Sequence, residues 1–407
     1  MPLRLLPNDV RPETRLLLWG RGLRAFGDGF VSLLLPVYLT LLGFDALGVG
    51  ILTTATLLGS AALTLVVGFT AHRFGHRPML VAATLLMIGT GLGFALETSF
   101  WPLVVIGFLG TLNPSSGDVS LFLPLEQALL AEAVSDRSRT AVFAGYSLVG
   151  TLVAAAGALA AAVPELLQAA LAVRLVTALQ GMFALYALLG LASYFLYRRL
   201  PPRLDVHRTT PPQPLGPSRR IVLMLAALFS LDAFGGGFIV QSLLALWLFD
   251  RFGLSLAAAG SFFFWSGVLA AASYLAAARI AGRIGLVNTM VFTHLPSNIL
   301  LILVPFAPSL WLALALLLLR SALSQMDVPT RTSYVMAVVT PPERAAAASV
   351  TSVPRSLAAA LSPLAAGYFL GLSSFGWPLV AAGALKAIYD LLLLVLFRHR
   401  RPPEETR

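Results

Sequence analysis

Apolar residues along the chain gather into long uninterrupted runs instead of alternating with polar ones at the spacing of a soluble helix or strand. The runs cover 24–42, 47–70, 79–96, 101–133, 140–163, 175–197, 221–249, 256–277, 289–306, 310–339, 345–371 and 377–397. A helix of about 20 such residues crosses the hydrocarbon of a bilayer. The pattern therefore predicts an all-α membrane protein with twelve transmembrane helices.

The polar connections fix a direction for those crossings. Most of the 28 Lys and Arg lie at the termini and on alternate connections: before and at the start of the first run, at Arg73 and Arg77, at Arg137 and Arg139, between Arg198 and Arg220, at Arg279 and Arg283, at Arg344, and after Phe397. The other connections hold only Arg174 and Arg251. Basic loops stay on the cytoplasmic side, so both termini are expected there, in a multi-pass protein of the plasma membrane. The longest connection, rich in proline and arginine, divides the runs six and six. Residues 1–197 and 221–407 are thus expected to be two halves joined by a cytoplasmic linker, 198–220. Composition agrees, with 58% hydrophobic and 11% charged residues and a mean hydropathy of +0.85 over 407 residues. The formal charge of +10 does not point to nucleic acid, because the arginines are spread over many short connections. No cysteine is present, which removes disulfides, thiolate metal sites and cysteine nucleophiles. Residues 1–24 carry five arginines and no apolar core of signal-peptide length, so the first run is expected to be retained as a helix.

The halves echo one another. AFGDGF at 25–30 returns as AFGGGF at 233–238, and the register continues through Gly43 with Gly253, Gly50 with Gly260, Arg73 with Arg283 and Gly75 with Gly285. After a small gap it pairs Pro124 with Pro329, Glu126 with Arg331 and Arg137 with Arg344. In the same register Arg24 and Asp28 of the first run fall on Asp232 and Gly236 of the seventh. Parallel duplicated halves are an architecture of secondary transporters, with the substrate between the halves near mid-bilayer.

The stretch GFTAHRFGHRP, Gly68 to Pro78, and its copy ARIAGRIG, Ala278 to Gly285, resemble the loop between the second and third helices of the major facilitator superfamily and its repeat. The resemblance implies two parallel six-helix repeats and a gating loop formed by Gly68, His72, Arg73, Gly75, Arg77, Arg283 and Gly285. It also implies transport by rocking of the halves around a cavity lined by the first, fourth, seventh and tenth runs. In that family an acidic residue usually stands where this chain has His72. The arginine of the exporter motif is missing from VVIGFLG in the fourth run, and the fifth run lacks the Gly-Pro antiporter motif.

Charges inside the membrane are costly and mark function. Within the runs stand Asp28, Asp118, Glu126, Asp232, Asp327 and Asp390 against Arg320, Arg331, Arg355 and Lys386. Arg320, Ser324, Asp327, Arg331 and Tyr334 share one stripe of an uninterrupted helix, with a bend expected at Pro329. That stripe, with Arg355 and Gln241, is the expected substrate cavity. Ser349, Ser352 and Ser356 accompany Arg355. Structural pairs are expected between Arg24 and Asp28, Asp327 and Arg331, and Lys386 and Asp390. Glu126, which has no base one turn away on its own run, is the proton carrier expected to face Arg331. Asp28, Asp118, Asp232 and Asp327 are the other proton or ion-pair candidates. TLNPSSGD at 111–118 predicts a local helix break. His294, the single histidine within the runs, reads as a packed core residue.

The chain shows no phosphate-binding loop, catalytic triad or metal-ligand cluster, so neither an enzyme nor a cofactor is expected. The sequence reads as a monomeric secondary active transporter moving a small organic solute, with protons as coupling ion and efflux of small or amphipathic compounds favoured. An organic-anion facilitator or exchanger using Arg320, Arg331 and Arg355 stands beside that reading. A non-transporting membrane scaffold is the alternative from another class.

Overall fold

The computed structural model describes residues 12–115, 121–133, 136–201, 215–340 and 343–398, and these form helices and no strand. They fall into two compact units, one holding the described residues of Met1–Thr209 with Leu254–Phe264, the other those of Thr210–Gly253 with Trp265–Arg407. The first unit contains α1 (Pro12–Leu41), α2 (Ala46–Phe74), α3 (His76–Leu96), α4 (Phe100–Leu109), α5 (Phe122–Ala133), α6 (Asp136–Leu159), α7 (Val163–Leu171) and α8 (Leu175–Arg198). The second contains α9 (Arg219–Gly237), α10 (Gln241–Phe252), α12 (Leu286–Leu303), α13 (Leu310–Leu323), α14 (Asp327–Val338), α15 (Arg344–Leu372) and α16 (Trp377–Phe397). Between α10 and α12 runs α11 (Leu256–Ile284), whose first turns belong to the first unit. There the Glu165 carboxylate of α7 accepts hydrogen bonds from the Leu256 and Ala257 amides at 2.8 and 3.0 Å, filling two of the donors a helix start leaves open.

Ten helical stretches among the described residues are long and apolar enough to cross a membrane, and the fourth and eleventh expected runs are not among them. The fourth is divided, because α4 stops at Leu109 and Thr111–Asn113 leave the helix. The eleventh is the unbroken α15, whose Ser349, Ser352, Arg355 and Ser356 lower its hydropathy. The seventh run is α9 and α10 with a break at 238–240, and the tenth is α13 and α14 with a break at 324–326. The bend expected at Pro329 therefore lies a turn earlier. Pro329 sits in the first turn of α14, where its missing N–H costs the helix no bond.

The glycines of the two hexapeptides let helices touch backbone to backbone. A Cβ at Gly29 would stand 2.1 Å from the Ala154 carbonyl oxygen of α6, and one at Gly157 would stand 2.1 Å from that of Phe26. In the second unit a Cβ at Gly237 would stand 2.2 Å from the Ala359 carbonyl oxygen of α15. Small residues at such crossings are how helices pack where lipid supplies no hydrophobic drive.

Candidate substrate and coupling site

In the first unit the charge inside the helices is closed on itself. Arg24 of α1 makes its ion pair with Glu126 of α5, and both side chains are buried. The carboxylate also accepts hydrogen bonds from the Tyr146 hydroxyl at 2.5 Å and from Tyr197. Arg24 Nε donates to the Tyr197 oxygen at 3.3 Å, and the guanidinium lies over the Phe122 ring, 4.1 Å from its centroid. Glu126 thus finds its base on another helix, which a reading of its own run could not detect. Asp28 is buried one turn along α1, with Asn113 Nδ2 at 3.5 Å. Asn113 lies in the break after α4 and accepts from the Ser115 amide and hydroxyl at 3.1 and 2.7 Å. Tyr186 donates to the Thr111 carbonyl at 3.0 Å. Of the helix break expected at 111–118, residues 111–115 are non-helical and held by side chains, while 116–118, Asp118 among them, lie outside the described residues.

In the second unit the acids are shared among several bases. Asp232 of α9 receives Lys386 Nζ at 2.6 Å and Arg331 at 3.1 Å, and His294 Nε2 stands 3.8 Å from it. Arg331 also reaches Asp327 at 3.4 Å, the pair expected one turn apart. The expected Lys386–Asp390 pair does not form: Lys386 goes to Asp232, and Asp390 receives His294 Nδ1 at 2.9 Å and Asn298 Nδ2 at 2.8 Å. On α16 the two residues are one turn apart, but α12 brings better partners for the acid and α9 for the base. His294 is buried, as expected of a core residue, yet it lies between two carboxylates. This was the part sequence reasoning missed, since its partners are on α16 and α9.

The expected stripe on the tenth run is divided by the break. Arg320 remains on α13, half-buried, with Ser324 buried at that helix's end. Asp327 and Arg331 are buried on α14. Tyr334 is a correction to the cavity list: it is fully buried in the core with Val222, Phe229, Tyr389 and Phe397. Gln241 is half-buried at the start of α10, and Arg355 is exposed on α15. Of the gating-loop residues, Gly75 and Gly285 turn the chain with φ of 79° and 87°, a conformation that favours glycine. Arg77 donates to the Arg198 carbonyl at 2.8 Å, Gly68 and Arg283 are exposed, and the side chains of His72 and Arg73 lie outside the described residues.

Among the described residues no group of His, Asp or Glu is placed to hold a metal ion. What the two clusters share is buried charge whose partners come from separate helices.

Comparison with known proteins gives the family and the fold. The family model of the Major Facilitator Superfamily matches residues 17–319 and 233–407. An uncharacterized membrane protein of Saccharomyces cerevisiae is 25% identical over 417 residues, spanning 94% of this chain and 93% of the relative. The solved nucleoside transporter NupG superposes with a TM-score of 0.72 at 13% identity, covering 96% of this chain and 100% of that one. A D-xylose–proton symporter superposes with a TM-score of 0.72 at 16% identity, covering 96% and 98%. The chain belongs to the Major Facilitator Superfamily, and is a membrane transporter and not an enzyme.

Proposed function

We propose that the protein is a secondary active transporter carrying a small organic solute across the cytoplasmic membrane by alternating access, coupled to protons. The reading includes twelve crossings in two parallel halves, a monomer, and both termini in the cytoplasm. Labelling of cysteines introduced at Asp205 and Asp45 tests the topology: opposite sidedness is expected, and same-side labelling ends it.

One observation carries the coupling. His294 lies between Asp390, 2.9 Å from Nδ1, and Asp232, 3.8 Å from Nε2, while Asp232 is simultaneously held by Lys386 and Arg331. An imidazole between two carboxylates is a site for an exchangeable proton. When His294 carries the proton it competes with Arg331 and Lys386 for Asp232; when it loses the proton those bases hold the acid alone. Proton occupancy therefore sets which bases are engaged. This moves the proton carrier from Glu126, whose carboxylate is filled by Arg24 and two tyrosines, to the cluster around Asp232. A D-xylose–proton symporter of the same fold supports a coupling of this kind.

The test is flux in proteoliposomes with an imposed pH gradient, across nucleosides, sugars, organic acids and drugs. Gradient-driven accumulation is expected for the wild type, and Asp232→Asn and His294→Gln are expected to abolish it while leaving exchange without a gradient. Accumulation by His294→Gln with wild-type pH dependence would overturn this assignment.

A further inference from the structure

Arg320, Arg331, Arg355 and Lys386 stand within the apolar runs of the second unit, and the acids there do not serve all of them. Asp390 is occupied by His294 and Asn298, Asp232 by Lys386 and Arg331, and Asp327 by Arg331. The side chains of Arg320 and Arg355 have neither an ion pair nor a hydrogen bond to another described residue, and the Nε of Arg320 is buried without an acceptor. A guanidinium does not shed its proton, and an unmatched cation inside a membrane is expensive. Such a charge persists where something arrives to meet it.

The faces of α15 say from which side. Arg355 is exposed, and so are Ser349 and Ser352, which at about 100° per residue lie along the same side of the helix. The exposed Leu357, Leu361 and Leu364 fall on the other side. The leucine side suits lipid and the polar side suits water. Arg355 feels the charge of Arg331 first and those of Asp232 and Asp327 after it, and Arg320 feels that of Asp232. Both guanidinium groups thus lie within electrostatic range of Asp232.

We infer that the solute is an organic anion, and that Arg355 and Arg320 recognise its carboxylate or phosphate group, with the exposed hydroxyl of Ser352 beside Arg355 as a further donor. The guanidinium fork matches either oxyanion with two parallel hydrogen bonds, and the incoming negative charge offsets what the protein leaves unmatched. This rests on the transport reading and names its substrate class.

The test is binding without any gradient, so that it is independent of proton coupling. Thermal unfolding of the purified protein in neutral detergent, followed by tryptophan fluorescence, is measured with succinate, benzoate, glycerol 3-phosphate, uridine, D-xylose or phosphatidylglycerol. At least one soluble anion is expected to raise the unfolding temperature by several degrees, and uridine and D-xylose are not. Arg355→Gln and Arg320→Gln are each expected to weaken the anion's apparent affinity about tenfold or more while leaving the unliganded unfolding temperature unchanged or higher, since each removes an unmatched charge. Arg355→Lys should retain part of the shift. A structural role would instead lower the unliganded temperature, which would overturn the proposal. So would a shift produced by the neutral solutes alone, by phosphatidylglycerol alone, or by no compound, or an anion shift undiminished in both glutamine variants.

Discussion

Two buried ion pairs, one in each unit, occupy the same places of the sequence register with their charges exchanged. In the first unit the base is on α1 and the acid on α5, Arg24 with Glu126; in the second the acid is on α9 and the base on α14, Asp232 with Arg331. The surroundings differ more than the pairs do. Glu126 is sealed by two tyrosine hydroxyls and an aromatic ring beside its arginine, so its charge is matched and fixed. Asp232 is contested by three basic side chains from three helices. A matched pair holds helices together. A contested one can change partners, which transport requires.

The comparison breaks first at Glu126. Glu126→Gln removes the carboxylate from a buried ion pair, which costs about 3–5 kcal/mol, so the folded protein is expected to unfold at a much lower temperature. Asp232→Asn is expected to cost less, because Arg331 keeps Asp327 and the amide oxygen can still accept from Lys386, the base that loses its acid. Equal losses from both variants would show that the second pair is as structural as the first. Tyr146→Phe removes one hydroxyl from the Glu126 carboxylate and is expected to cost about 1.5–3 kcal/mol, the worth of a bond to a charged group. Flux should survive it. Gly29→Ala drives a methyl into the Ala154 carbonyl and is expected to cost about 1–3 kcal/mol, whereas Gly89→Ala, with open space around it, should be neutral or stabilising.

The smallest effect lies in the connection between α14 and α15. Glu343 accepts hydrogen bonds from Thr340 Oγ1 at 2.5 Å, from Ser218 and from the Gly216 amide, fastening the start of α9. The Thr340 hydroxyl first, then Ser218 and the amide, lower its carboxyl from 4.5 to about 2. A lowered folded value stabilises above the unfolded value, so this anchor is complete above about pH 5 and fades as pH falls from 4.5 to about 2. The unfolding temperatures of wild type and Glu343→Gln are expected to differ at pH 6 and to converge by pH 2. A pH-independent difference would assign Glu343 a role other than its charge.

Much of the fold could be read from the chain because the bilayer imposes one length scale on every crossing and because charged connections record sidedness. The breaks were legible where composition disfavours helix, as in TLNPSSGD. At 324–326 Ser-Gln-Met itself reads as helix, and the signal for the break stands downstream in Pro329, which cannot bond the carbonyl four residues before it. The charged residues of the site could be named from their cost in lipid, but their partners could not. Spacing on a single run suggests Lys386 with Asp390, yet α9 and α12 present closer groups to each, and the choice belongs to the packing of three helices. Arg24 and Glu126 stand far apart in sequence, and nothing in either run announces the other. Tyr334 shows the opposite failure: its place on a polar stripe suggested a cavity, and packing against Val222, Phe229, Tyr389 and Phe397 puts it in the core.

The reciprocal notches at Gly29 and Gly157 also constrain how this unit can move. Each helix carries a gap that receives the other's carbonyl, and sliding by even one residue, about 1.5 Å, would set a side chain where the gap had been. With the backbones engaged from both sides, α1 and α6 are keyed together against translation along their axes. They behave as a single lever, and any displacement imposed on α1 is delivered to α6 as well.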